Sequence, residues 1–168
     1  MLGALHIEMV MLSCLGDWLE DSGWLTALSN ADVTSPGNDS LCTGHSVAIS
    51  KYAHQVTAKA LYILMRNAYH HSLSQKGFEE WRAEMESCSP QFQFWSIALR
   101  MQLNYLLFMR SIRTANFVLY VYSLEKLLPW IFALDHIHYP RWLTVHHYDM
   151  QMLQVTNPDI YYEFEHNG

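Results

Sequence analysis

Two stretches, 92–112 and 117–134, constrain what this chain can fold into more than any other part of it. Both are apolar around most of a helical circumference, which marks them as central helices. Neither is a membrane span. Arg100 and Arg110 interrupt the first, and Glu125, Lys126 and Pro129 interrupt the second, whereas a span needs about 20 uninterrupted apolar residues. A chain with two such helices must wrap others around them. Ser89-Pro90 supplies a start signal, an N-cap hydroxyl followed by proline at the first helical position. Thr114-Ala115-Asn116 separates the two helices, and Pro129 is expected to kink or restart the second, because proline lacks the amide hydrogen.

The remaining segments are also helical in pattern. Leu2, Leu5, Met9, Leu12 and Leu15 recur at steps of three and four and predict an amphipathic helix over 2–20. Ser22-Gly23 breaks it, and a short piece runs from Trp24 to Ser29. Residues 30–45 are rich in turn formers and make the main internal break. A long helix is expected over 46–71, burying Val47, Tyr52, Val56, Ala60, Ile63 and Leu64. A charged helix over 76–87 has Phe78, Trp81 and Met85 as its apolar edge. Tyr139-Pro140 marks a turn, a last helix spans 141–153, and a short aromatic tail follows Asn157-Pro158. No sustained β alternation or internal repeat is present. The expected fold is all-α, an irregular bundle of six or seven helices forming a single helical region over 1–168.

Composition narrows the function classes. Hydrophobic residues make up 51% and aromatics 14%, but charged residues only 15%, against the usual quarter. This balance favours apolar surface that expects a partner over deeper burial alone. A net charge of −6 argues against nucleic-acid binding through bulk electrostatics. Lys51, Lys59 and Arg66 would share a helix face within about 80° of arc; in so acidic a chain this is more simply a solvated face than a phosphate track. Three cysteines (Cys14, Cys42, Cys88) form neither a disulfide framework nor a zinc motif, which points to a reducing, intracellular compartment. The N-terminal residues lack the basic region of a signal peptide.

Titratable and aromatic groups are densest at 132–150. His146 and Asp149 lie three apart on an expected helix and share a face, so they are candidate ligands for one ion, with His136 and His138 before the turn as further ones. No recognised ligand spacing is met, however, and a histidine-rich turn bonded to backbone is the plainer account. Arg141, beside Trp142, is expected to pair with Asp135 or Asp149 and clamp the helix-turn-helix geometry. His6-Ile7-Glu8 resembles half of a ligand or acid–base motif, yet residues two apart on a helix point about 200° from each other. His6 is therefore expected as a hydrogen-bonded core residue, and His70-His71 as a helix-end pair facing the dipole. Cys14 belongs to the apolar side of the first helix. No Gly-x-Ser-x-Gly, phosphate loop or reactive-cysteine context occurs, and no catalytic residue can be assigned.

Three blocks carry a family resemblance: 2–9 with 15–19 and Ser22-Gly23-Trp24; Tyr52-Ala53-His54-Gln55-Val56; and 129–136 with Tyr139, Arg141-Trp142-Leu143, His146 and Asp149-Met150. They resemble a multi-copy group of uncharacterised animal proteins that looks derived from mobile elements, and the likeness runs over nearly the whole chain. Asp135, His136, Arg141, Trp142, His146 and Asp149 match its most specific block. The chain departs from it at Ala4, His138, Pro140, Thr144, His147 and Tyr148, so the resemblance does not support His138 or His147 as shared ligands. By analogy the order of His6 and Arg141-Trp142 is similar to that in transposases of the hAT superfamily, whose RNase H-like core carries an all-α insertion.

That resemblance implies an internal, incomplete helical piece of a transposase-like protein, with the metal-binding carboxylates of two-metal chemistry lying elsewhere. The expectation is then no activity of its own and no cofactor for this chain, a divalent metal entering only in a full-length protein. Its partner would be the remainder of a longer polypeptide or another protein. The alternative is a self-sufficient helical protein-interaction module; a weaker one is a metal-dependent hydrolase centred on 135–149.

Overall fold

The computed structural model describes residues 3–35, 47–134 and 139–166. Among them there are nine helices and no strand: α1 (Ala4–Leu19), α2 (Trp24–Asn30), α3 (Val47–His71), α4 (Phe78–Cys88), α5 (Pro90–Arg113), α6 (Phe117–Ala133), α7 (Tyr139–Gln151), α8 (Leu153–Thr156) and α9 (Pro158–His166). The architecture is the all-α irregular bundle expected, with more helices than six or seven. Most of the 30–45 break lies outside the described residues.

Local chemistry sets the boundaries. Gly23 takes φ 80° between α1 and α2, a conformation that costs other residues a Cβ clash. The Ser89 side chain accepts from the Phe92 amide at 3.2 Å with Pro90 at the first helical position, and Asn116 caps α6 by accepting from the Leu119 amide at 2.8 Å. Pro129 does not restart α6, which runs on to Ala133. One amide bond is forgone there, but Leu124, Leu127 and Ile131 are buried on the same helix and hold it in place. Pro140 likewise does not delay α7; it occupies the first turn, where a missing amide hydrogen costs nothing. The expected aromatic tail is helix α9, opened by Asn157-Pro158.

The central helices are α5 and α6. They meet α1 in the main core, where Ile7, Met11, Leu12 and Leu15 pack on Met101, Tyr105, Phe108, Leu124 and Ile131. Two lesser clusters extend it, one joining Trp24 and Leu28 to Ala53 and Ala98, the other joining Ala58 and Met65 to Trp81 and Leu99. Cys14 is fully buried, and burial first, with Asp17 second, pushes its thiol up to about 12. It is core, as expected. Leu5 and Met9, expected on the buried side of α1, are exposed.

Helix α3 is turned away from expectation over most of its length, although Val47, expected to be buried, does pack against the main core. The helix buries Ser50, Ala53, His54, Thr57, Ala58 and Met65, while Tyr52, Ile63 and Leu64 are exposed. Its inner face is small and polar because it packs against large aromatics. His54 stacks on Trp24 at 4.8 Å and meets the edge of Tyr105 at 6.1 Å. The Trp24 indole donates to Thr57 Oγ1, which donates to the Ala53 carbonyl, each at 2.8 Å. Gln102 Nε2 lies 3.4 Å from His54 Nδ1. This polar seam links α2, α3 and α5.

Candidate functional site

Helix α7 follows the apolar α6 and is held to it by Leu143, which is buried in the main core. Holding that side fixes the opposite side outward, so Trp142, Val145 and Tyr148 face solvent. Helix α9 closes back on the start of α6, where Phe164 stacks on Phe117 at 5.5 Å and Tyr161 meets the same ring edge-on at 5.6 Å. Between α7, α9 and the α5–α6 corner lies a groove of about 1400 Å³.

Its walls include Ile112, Phe117, Val145, Ile160 and Phe164, with the exposed Trp142 and Tyr148 beside them; Tyr120, His146, Asn116, Asp149 and Asn157 are among its polar members. Trp142 is 61% exposed and Tyr148 60%. At the polar end His146 Nε2 lies 2.8 Å from the Tyr120 hydroxyl. Burial lowers the His146 imidazole from its ordinary range against the opposing pull of Asp149, and burial pushes the Tyr120 phenol up to about 12. Both are therefore neutral near pH 7. Neutral rings in an apolar wall can orient a ligand by hydrogen bonds, and His146 Nε2 is already engaged by Tyr120. The aliphatic hydroxyls in the lining are already engaged, Ser111 donating to the Phe108 carbonyl at 2.6 Å and Thr156 to the Met152 carbonyl at 3.1 Å.

The candidates from the sequence are placed unevenly. His146 and Asp149 do share this groove. A metal would have to compete with Tyr120 for His146 Nε2, and among the described residues no group of three or more His, Cys, Asp or Glu side chains converges. Asp135, His136 and His138 lie outside the described residues. Arg141 is exposed and, among the described residues, forms no ion pair with Asp149, so that half of the expected clamp is not made. Trp142 lines the groove and is exposed. Near the N-terminus the expectation is inverted: His6 is exposed and Glu8 is the buried residue. Glu8 Oε1 accepts from the Tyr105 hydroxyl at 3.0 Å and pairs with Lys51 Nζ at 3.2 Å. Lys51 is thereby drawn out of the basic stripe, and Arg66 lies over the Phe78 ring at 4.8 Å.

Tyr120, Ile160 and Phe164 were not singled out from the sequence. Tyr120 gives no local signal, being 26 residues from His146. Ile160 and Phe164 do, as an i, i+4 apolar pair behind an Asn-Pro start.

Residues 65–168 match the model of a family described as a domain of unknown function, DUF8702. No curated protein and no solved structure matches the chain. The match starts inside α3 and takes in the groove apart from Gly3 and Ala4, while α1 lies wholly outside it.

Proposed function

The chain belongs to the DUF8702 family, and from that premise we propose that it is a helical binding module, without catalysis of its own, whose groove receives an apolar segment of polypeptide. One observation carries this: two aromatic side chains, Trp142 and Tyr148, stand more than half exposed along a groove with apolar walls. Exposed aromatics with little conformational freedom are the usual anchors of protein recognition. The groove's volume also favours a polypeptide, since small-molecule sites run at roughly 300–1,000 Å³ and enclose most of the ligand. Within this proposal the transposase-like resemblance supplies one occupant, the remainder of a longer polypeptide, and a separate protein the other. No helix among the described residues is long and apolar enough to cross a membrane. The free thiols of Cys14 and Cys88 support a reducing, intracellular setting.

Selection from a displayed library of helical peptides, followed by amide chemical-shift mapping of the winners, tests the proposal. Enrichment of peptides with Trp, Phe or Leu anchors, with shifts clustered at Trp142, Val145 and Tyr148, is expected. Failure to enrich any sequence, or shifts confined to other surfaces, would contradict it.

A further inference from the structure

Helix α3 carries no Asp or Glu over its 25 residues, in a chain whose net charge is −6. Its buried face is already filled by small and polar residues against Trp24 and Tyr105. The opposite face presents Ile49 (43% exposed), Tyr52 (56%) and Ile63 (46%). Positions 49, 52, 56, 59, 63 and 66 follow the alternating three- and four-residue steps of a coiled-coil seam, occupied here by Ile, Tyr, Val, Lys, Ile and Arg. Val56 and Leu64 also line a neighbouring groove of about 720 Å³ against α2, so the apolar surface is continuous beyond the helix. No residue of α3 lines the groove discussed above.

We infer that this outer face of α3 is a second docking surface, and that its occupant is an amphipathic helix of a partner protein with carboxylates opposite Lys59 and Arg66. Charge complementarity selects among occupants. In a parallel pairing with a second copy, Lys59 would face Lys59 and Arg66 would face Arg66, which like charges in a seam oppose. An anionic membrane meets the exposed Lys59 and a half-buried Arg66 that lies over the Phe78 ring, on a molecule of net charge −6, against the clusters of four to eight that anionic lipids require. A nucleic acid requires more phosphate contacts than these two cations supply, because Lys51 is held by Glu8. A single acidic helix meets only the local field, within a screening length of about 8 Å.

The experiment uses the full chain and two synthetic helical peptides as long as α3. Both have Leu at the seam positions; one has Glu at the flanking positions and the other Lys. Fluorescence anisotropy is expected to show the Glu peptide binding at least about tenfold more tightly, a difference of about 1.4 kcal/mol. Ile63→Ser should weaken that binding at least about tenfold, and Lys59→Glu should reverse the preference between the peptides. Trp142→Ser should change neither result, which separates this surface from the groove at α7. All three positions are exposed, and unchanged circular-dichroism melts confirm folding. No saturation by the Glu peptide up to about 1 mM, equal affinity for both peptides, or indifference to Ile63→Ser would overturn the inference. So would dimerisation that protects α3, or partition onto phosphatidylserine vesicles with no peptide binding.

Discussion

Glu8 and Tyr105 are 97 residues apart in the chain, and the phenol of one donates to the carboxylate of the other at 3.0 Å inside the core. Lys51, from a third helix, closes the arrangement at 3.2 Å. A buried carboxylate is tolerated only while such partners remain. Burial, with Glu8 adding to it, raises the Tyr105 hydroxyl above the ordinary phenol range, so the pair works as a neutral donor on a charged acceptor. Tyr105→Phe keeps the ring and removes the donor. It should destabilise the fold by about 1–3 kcal/mol in urea unfolding, the cost of an unpaired buried acceptor. A loss below about 0.5 kcal/mol would mean that Lys51 alone satisfies Glu8.

Stability should fall in mild acid through His54. Burial lowers its imidazole from 6.5 to about 4 in the folded chain. Between these values the unfolded chain takes up a proton that the folded chain refuses. The contribution is therefore complete above pH 6.5 and is lost progressively down to about pH 4. The ceiling is about 3 kcal/mol. Urea midpoints measured from pH 7 to pH 4 should slope downward, and His54→Gln should flatten that slope. An identical slope in the variant would place the acid sensitivity elsewhere.

Tyr120→Phe tests the polar end of the groove. With the neutral ring's proton on Nδ1, the Tyr120 hydroxyl donates to His146 Nε2 and favours the neutral form beyond what burial does. Removing the hydroxyl should raise the His146 pKa towards its ordinary range, read by NMR titration of the ring protons. An unchanged or lower value would mean that the ring is the donor.

The family match is smaller than the folding unit. It begins at residue 65, yet Ile7, Met11, Leu12 and Leu15 of α1 fill the main core between α5 and α6. A polypeptide limited to 65–168 should therefore lack a cooperative thermal transition. In the whole chain, Leu12→Ala should cost about 2–5 kcal/mol. Cooperative unfolding of the excised segment would show that α1 is an accessory.

Legibility in the sequence followed the range of each interaction. Ser89-Pro90 announced α5 because a cap is made within three residues. Asn157-Pro158 has the same grammar, but served as the end of α7 rather than as the start of α9, since nine residues with three acidic groups resemble a tail. Which face of α3 turns inward was not legible. A 3.6-residue pattern shows that two faces differ, and burial of the smaller, more polar one depends on Trp24 and Tyr105, which lie elsewhere in the chain. The density at 132–150 correctly marked the neighbourhood of the groove. It gave His146 and Asp149, but not Tyr120, Ile160 or Phe164, which only the packing of α6 and α9 brings there.

The proposal that the groove binds polypeptide is tested most directly by one comparison of affinities. A peptide selected on the intact chain is titrated into wild type and into Trp142→Ser and Tyr148→Ser, both exposed positions whose replacement should leave the melting curve unchanged. Anchoring aromatics cost about 2 kcal/mol or more when truncated, so each variant should bind at least about 30-fold more weakly. Affinities within about twofold of wild type for both variants would contradict the account, because the peptide would then be held without the aromatics that define the groove.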